Sequence, residues 1–230
     1  NMKEIYFEGE GDSLKVKGVR FGDNDMEVFA EKIIIATGGL SYPLTGSTGD
    51  GYKWAESIGH SVITPRPSLV ALVCKEKWIK ELEGLSLKNV SFYLKYGEKE
   101  IYREQGEMIF TGNGVSGPIV LSASRHAMTY NFKNLSCGID LKPALTLEKL
   151  SDRIVRDFQK FNRKIFANSL EDLLPRKLIP IAVKLSGIPG DKIVSEISRE
   201  ERLRLASLLK NVKMTVTGSG SFNEAIVTAG

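Results

Sequence analysis

Histidine is nearly missing from this 230-residue chain, with only His60 and His126. That excludes a metal centre built mainly from imidazoles. Cysteine is equally scarce. Cys74 and Cys137 both sit in apolar, strand-like stretches, with no Cys-x-x-Cys or metal-ligand spacing. Two buried free thiols in a reducing, cytoplasmic setting are therefore expected in preference to a disulfide. No apolar run approaches the roughly 18 residues that a membrane-spanning helix needs, and no signal-peptide pattern is visible. What remains is ordinary globular chemistry, with 42% hydrophobic and 26% charged residues.

The net charge of +4 is unevenly spread. Residues 148–210 carry 14 basic and 9 acidic residues, whereas residues 1–147 carry 17 and 18. In the basic part the signs alternate, as in Ser198-Arg199-Glu200-Glu201-Arg202-Leu203-Arg204, which is the pattern of a solvated helix face. A nucleic-acid footprint asks instead for a basic patch with interleaved aromatics, so no nucleic-acid partner and no membrane partner is expected.

Residues 1–37 alternate apolar and polar over Glu4–Phe7, Leu14–Val19 and Met26–Ala30. Turn residues lie between them at Gly9-Glu10-Gly11-Asp12 and Gly22-Asp23-Asn24-Asp25. This reads as a β-meander. Strand patterns return at Ser68–Cys74, Val90–Tyr96, Met108–Phe110, Leu135–Leu141, Lys213–Thr217 and Glu224–Thr228, with a hairpin turn at Tyr96-Gly97-Glu98-Lys99. Short antiparallel strands of this kind suggest a small barrel or sandwich. Between Pro143 and Asn211 the period changes. Leu147, Leu150, Ile154, Phe158 and Phe161 make one helical stripe with Thr146 as N-cap. Asn168-x-x-Glu171 and Ser198-x-x-Glu201 have capping-box spacing, Pro175 suits a first helical turn, and Gly187 with Pro189 ends that helix.

Two glycine-rich stretches carry the functional signal. The β-branched run Ile33-Ile34-Ile35 reads as a short buried strand delivering Thr37, Gly38 and Gly39. A second turn, Gly46-Ser47-Thr48-Gly49-Asp50-Gly51, opens into a helix from Tyr52 to Ile58. Bare backbone at a strand end, followed by a glycine loop at a helix start, suits close approach of a flat or phosphorylated ligand; two tight turns would explain the same glycines. A third glycine pattern, Gly112-x-Gly114-x-x-Gly117, has the form of a dinucleotide fingerprint, with Asp140 downstream at a suitable distance. Pro118 directly after the third glycine argues against it, and Ser116 as N-cap with Pro118 near N1 explains the segment structurally.

The Ala36-Thr37-Gly38-Gly39 segment, followed by Gly46 to Tyr52 and by Gly59-His60, resembles the FAD-dependent flavoproteins of the BaiN-like or aminoacetone-oxidase type. Gly106-Glu107 to Ser122 is similar to that family's G-E-(hydrophobic)2-F-T-x-x-G-x-S-G-P segment, and Glu224 to Gly230 is similar to the start of its A-x-V-T-x-G-G-V segment. The resemblance implies an α+β chain: a partial FAD-domain meander plus a small antiparallel β-barrel-like domain with a helical insertion. It assigns residues 1–62 to the FAD-domain segment, 63–147 with 211–230 to the barrel-like substrate domain, and 148–210 to the helical insertion.

By the same resemblance, the chain is an internal part of a larger FAD-dependent oxidoreductase, inactive alone and without FAD of its own. That enzyme would oxidise a small amine or reduce an activated double bond in a hydrophobic small-molecule substrate. The implied cofactor-binding residues are Thr37, Gly38, Gly39, Gly46, Ser47, Thr48, Gly49 and Asp50. Asp50 either caps the helix at Gly51 or bonds the flavin, and Tyr42 and Trp54 either pack in the core or line it. Arg103, Arg125, His126 and Tyr130 are candidate polar groups of the substrate pocket; no catalytic residue and no metal ligand is singled out. Exposed strand edges would invite dimerisation. The competing classes are a non-catalytic scaffold or ligand-binding domain, and a nicotinamide-binding module using Gly112–Gly117.

Overall fold

The computed structural model describes residues 2–8, 15–22 and 26–230. The turns expected at 9–12 and 23–25 lie outside the described residues. The chain divides into two units, Asn1–Pro67 with Phe222–Gly230, and Ser68–Ser221.

In the first unit, β1 (Met2–Glu8), β2 (Lys15–Phe21) and β3 (Met26–Phe29) form the antiparallel meander read from the alternation. Arg20 ties its strands together, meeting Glu4 at 2.5 Å and Glu27 at 2.7 Å. The β-branched run behaves otherwise. Ile33–Ile35 form no strand, and Ile34 is 92% exposed. A continuous Ile run suits a strand covered on both faces in a parallel sheet; among the described residues no parallel neighbour pairs with it. A short 3₁₀ turn (Pro43–Thr45) and α1 (Asp50–Ser57) follow.

β4 (Arg66–Ser68) pairs with the last strand of the chain, β11 (Val227–Ala229). The sequence places residues 224–228 in the barrel; the structure forms no strand over 224–226 and pairs Val227–Ala229 with β4 instead. The single strand expected over Ser68–Cys74 is also broken. Leu69 adopts φ 50°, and the Val70 amide donates to Ser124 Oγ at 3.1 Å.

The second unit is a closed antiparallel barrel of six strands: β5 (Leu72–Cys74), β6 (Ser86–Tyr96), β7 (Lys99–Thr111), β8 (Gly114–Ser116), β9 (Leu135–Asp140) and β10 (Val212–Ser219), in the order β10-β5-β8-β7-β6-β9. Closure removes open edges. Tyr93 illustrates how the wall is built: it pairs with Gly138 on β9, whose missing side chain makes room for the ring. The Tyr93 hydroxyl donates to Asn211. The first and last barrel strands meet where Leu72 pairs with Ser219, and Gly220 N–H donates to Ala71 O at 2.9 Å.

Helix α2 (Pro118–Thr129) packs along β7, burying Ile119, Val120, Ala123 and Ala127. Helices α3 (Leu147–Lys160), α4 (Ile179–Ser186) and α5 (Arg199–Lys210) extend the barrel core through Leu150, Ile154, Phe158, Leu205 and Leu209. Thr146 caps α3 by accepting from Lys149 N, and Ser198 with Glu201 forms a complete capping box on α5. Asn168 and Glu171 do not form one; Asn168 closes a 3₁₀ turn (Phe166–Asn168) with no helix after it. Pro175 precedes a 3₁₀ turn rather than opening the helix, and Gly187 terminates α4 at φ 67°. Lys210 fastens α5 to the end of β9. Its ammonium meets Asp140 at 2.5 Å and donates to Lys142 O at 3.1 Å and Leu145 O at 2.7 Å.

Candidate functional site

Three stretches distant in sequence meet in the first unit: Thr37–Gly39, Gly46–Tyr52 and Thr228. Thr228 Oγ1 is the hub. It accepts from Leu40 N at 2.7 Å and Ser41 N at 3.0 Å, and lies 3.1 Å from Ser41 Oγ. A side-chain carbon on Gly39 would stand 2.5 Å from that oxygen and 3.0 Å from Tyr52 Oη; one on Gly51 would stand 2.6 Å from Thr37 Oγ1. These two glycines are there because chain crosses chain. Gly46 is different: φ is 102° and nothing lies within 4 Å of where a side chain would begin, so its backbone stands open. Gly38 is likewise exposed at φ 70°, beside Ser47 Oγ.

Asp50 is the first residue of α1, with Gly49 at the cap position and no side-chain cap. It does not cap a helix beginning at Gly51. Its carboxylate accepts from Lys53 Nζ at 2.9 Å and Thr48 Oγ1 at 2.7 Å. Those two bonds hold it below the usual carboxylate range, so it is an ionised acceptor near neutral pH. Tyr52 N and Lys53 N donate to Gly49 O at 3.1 and 3.4 Å, which leaves the Asp50 and Gly51 amides as the first-turn donors without an intrahelical acceptor at the positive end of the helix. Tyr42 is 47% exposed at φ 53°, and Trp54 is half-buried on α1.

Arg103, Arg125, His126 and Tyr130 belong to the second unit and are not gathered into one pocket. Arg103 bonds Glu100 at 2.7 and 2.5 Å and lies over the Tyr93 ring. Tyr102, its neighbour on β7, points to the opposite face, where its ring centroid is 5.2 Å from that of His126. Burial, with help from Glu104, pushes the Tyr102 hydroxyl up to about 12. A concavity of about 850 Å³ is lined by Glu8, Lys17, Phe29 and Glu31 of the meander and includes no glycine-loop residue.

The Gly112–Gly117 pattern is not a dinucleotide fold. Its glycines join antiparallel β7 to β8, not a strand to a parallel crossover. Gly114 lies against the Leu72 carbonyl. Gly117, at φ 96°, takes the cap position of α2 that the sequence gives to Ser116, and a side chain there would come within 2.8 Å of Met108 Cα. Both thiols are free; the Cys74 thiol and complete burial push Cys137 well above the ordinary range, which keeps it protonated and unreactive. Among the described residues no cluster of His, Cys, Asp and Glu is arranged to hold a metal, and no helix is long and apolar enough to cross a membrane.

The hub role of Thr228 is invisible in the sequence except through the A-x-V-T segment, and Tyr52 gives no sign of touching Gly39. Nor does anything in the sequence announce that Tyr96 and Tyr130, far apart in the chain, stack at 4.3 Å.

Residues 66–227 match the family model described as HI0933-like protein barrel and H2TH domain. The chain is 32% identical over 209 residues to a Haemophilus influenzae protein named ribosomal RNA dihydrouridine synthase, covering 90% of this chain and 49% of that protein. It is 30% identical over 207 residues, with the same coverages, to a protein of that name from Escherichia coli. It is 27% identical over 219 residues to a 3-dehydro-bile acid delta(4,6)-reductase from Clostridium scindens, covering 94% of this chain and 53% of that protein. The chain thus spans about half the length of these relatives. With the family model matching most of the chain, and the motif resemblance pointing the same way, the chain belongs to the BaiN/HI0933-like flavoprotein family.

Proposed function

We propose that this chain forms part of the flavin site and the substrate-shaping unit of an FAD-dependent reductase that saturates a carbon–carbon double bond conjugated to a carbonyl, with a uracil base of RNA as substrate. The observation that carries the reading is the meeting of Thr37–Gly39, Gly46–Asp50 and Thr228 at one place, because these are the segments that resemble the flavoprotein family. The names of the relatives describe one chemistry in two settings. Making dihydrouridine saturates a ring double bond conjugated to a carbonyl, and a 3-dehydro delta(4,6) steroid is a conjugated dienone. Two relatives at 30% identity or more carry an RNA-directed name, which favours uracil.

The residues fit a flavin. The open backbone at Gly46 admits a flat or extended ligand without a side chain in the way, and the exposed backbone of Gly38 lies beside the Ser47 hydroxyl. Ionised Asp50 is an acceptor for a ribityl hydroxyl, and the α1 amides beside it are donors for an anionic oxygen. Thr228 and Tyr52 brace the two loops from behind. When bound, FAD supplies the hydride chemistry, and the protein supplies orientation and electrostatics. Among the side chains described, none is placed to be assigned as the proton donor to the second carbon.

The test uses the protein carrying this sequence at its native length. It should purify with a visible flavin band. After anaerobic reduction with dithionite, uridine-containing RNA should reoxidise the flavin and yield dihydrouridine. A protein that binds no flavin, or a reduced flavin indifferent both to RNA and to a conjugated enone, would overturn the reading. Reoxidation by the enone alone would keep the reductase and remove the RNA.

A further inference from the structure

We propose that the aromatic and cationic face built from the β6–β7 turn, the last turn of α2 and the 130–134 turn docks a single-stranded segment of RNA. The proposal rests on RNA being the substrate, and it names the surface and the contacts.

Four aromatic rings lie on this face in two pairs. Tyr96 stacks on Tyr130 with ring centroids 4.3 Å apart and planes 23° from parallel, and Tyr102 lies 5.2 Å from His126. Tyr96 is 41% exposed, which is unusual company for a tyrosine that has already found a stacking partner. Stacking on an aromatic platform is how unpaired bases are held, because every base presents a π face. Three cations belong to the same chain segments as the rings. Lys99 pairs directly with Tyr96 across the hairpin, Arg125 precedes His126 on α2, and Lys133 lies in the turn after Tyr130. All three are exposed, and among the described residues none is held in an ion pair. Two acids share this face: Glu98, exposed in the hairpin turn beside Lys99, and Glu104, which is engaged by the Tyr102 hydroxyl. Aromatics interleaved with unpaired cations are the pattern that the alternating charges of residues 148–210 lack.

The platform is also rigid. Asn131, Phe132 and Asn134 all have left-handed backbones, at φ 50°, 57° and 54°. For Phe132 that conformation is costly and is held by packing against the core. Gly97 N–H donates to Asn134 O at 3.1 Å, joining this turn to the hairpin. A site fixed before binding loses little entropy when a flexible strand settles on it.

The experiment measures fluorescence anisotropy of a labelled short oligouridine RNA on this chain, without flavin, across a salt series. Three phosphate contacts predict a slope of about −2 in log K against log salt for a single strand. The triple variant Lys99→Ala, Arg125→Ala, Lys133→Ala should flatten the slope to near zero. Tyr96→Ala should weaken binding about tenfold, and Tyr96→Phe should restore it. The thermal midpoint of each variant separates lost binding from lost folding. As a control, Lys184→Ala with Arg204→Ala on α4 and α5 should change nothing. Absence of binding by the folded chain, an unchanged slope in the triple variant, or loss of binding in the α4/α5 variant overturns the assignment. So does equal binding of heparin that ignores Tyr96, which would make the face a general polyanion site. Because no flavin is present, failure here leaves the reductase reading standing, and failure to bind flavin leaves this surface standing.

Discussion

Replacing Thr228 by Val should loosen the loop that carries Gly38 and Gly39. Valine nearly matches threonine in volume but has no acceptor oxygen. Two half-buried amides, Leu40 N at 2.7 Å and Ser41 N at 3.0 Å, would lose their partner together. At about 1 kcal/mol net for each, the local opening free energy falls by about 2 kcal/mol. Amide exchange at Leu40 and Ser41 should then accelerate about thirtyfold, since 1.4 kcal/mol is a factor of ten. Thr228→Ser keeps the oxygen and should preserve the protection. Hydrogen exchange followed residue by residue on this chain reads the effect without any cofactor. In the native-length protein the Val variant should weaken FAD binding by a factor in the same range. Unchanged exchange at both amides in the Val variant would refute the assignment of Thr228 as the hub.

Gly117→Ala should destabilise the barrel unit by at least about 2 kcal/mol, because φ 96° and ψ 171° suit glycine alone and the new carbon meets Met108; a urea midpoint unchanged from wild type would contradict this. Lys210→Met leaves Asp140 with the Lys142 amide and the nearby charge of Arg103, and should cost about 3 kcal/mol, lowering the thermal midpoint by roughly 6–12 °C, with Lys210→Met/Asp140→Leu recovering part of the loss. The Lys192 ammonium, 2.8 Å away, and the Ser198 amide hold Glu201 below the usual carboxylate range. A depressed folded value stabilises above the ordinary carboxylate pKa of about 4.3 and is lost as pH falls through the folded value. The stability gap between wild type and Glu201→Gln should therefore be full near neutrality and shrink as pH falls below the ordinary carboxylate range, as read from denaturant midpoints.

The barrel and its helices were legible because alternation and 3.6-residue periodicity are local, and Thr146 and Ser198 cap as their spacing suggests. Ile33–Ile35 were misread because β-branched residues report a preference for strands and not the presence of a neighbour to pair with. At Asn168 the spacing of a capping box occurs without a helix to cap. The six residues Gly112–Gly117 satisfy a fingerprint by letter, while Gly114 and Gly117 answer to Leu72 and Met108 through contacts that no local pattern encodes. The glycines at 38–51 were found from sequence, yet the reason for Gly39 and Gly51 is protein crossing protein. The stacked pair Tyr96 and Tyr130 was hidden for the same reason: closure of the barrel brings them together.

The pairing of Leu72 with Ser219 and the bond from Gly220 to Ala71 put the entrance and exit of the barrel unit side by side. Residues 68–221 are thus a cassette set into a single gap in the first unit, held by two adjacent threads. Such a cassette can be excised with its ends meeting, rejoined by a short linker, or opened at a new point in an exposed turn and still close its barrel. Exchange of this one contiguous segment would leave the sequence of the glycine loops unaltered.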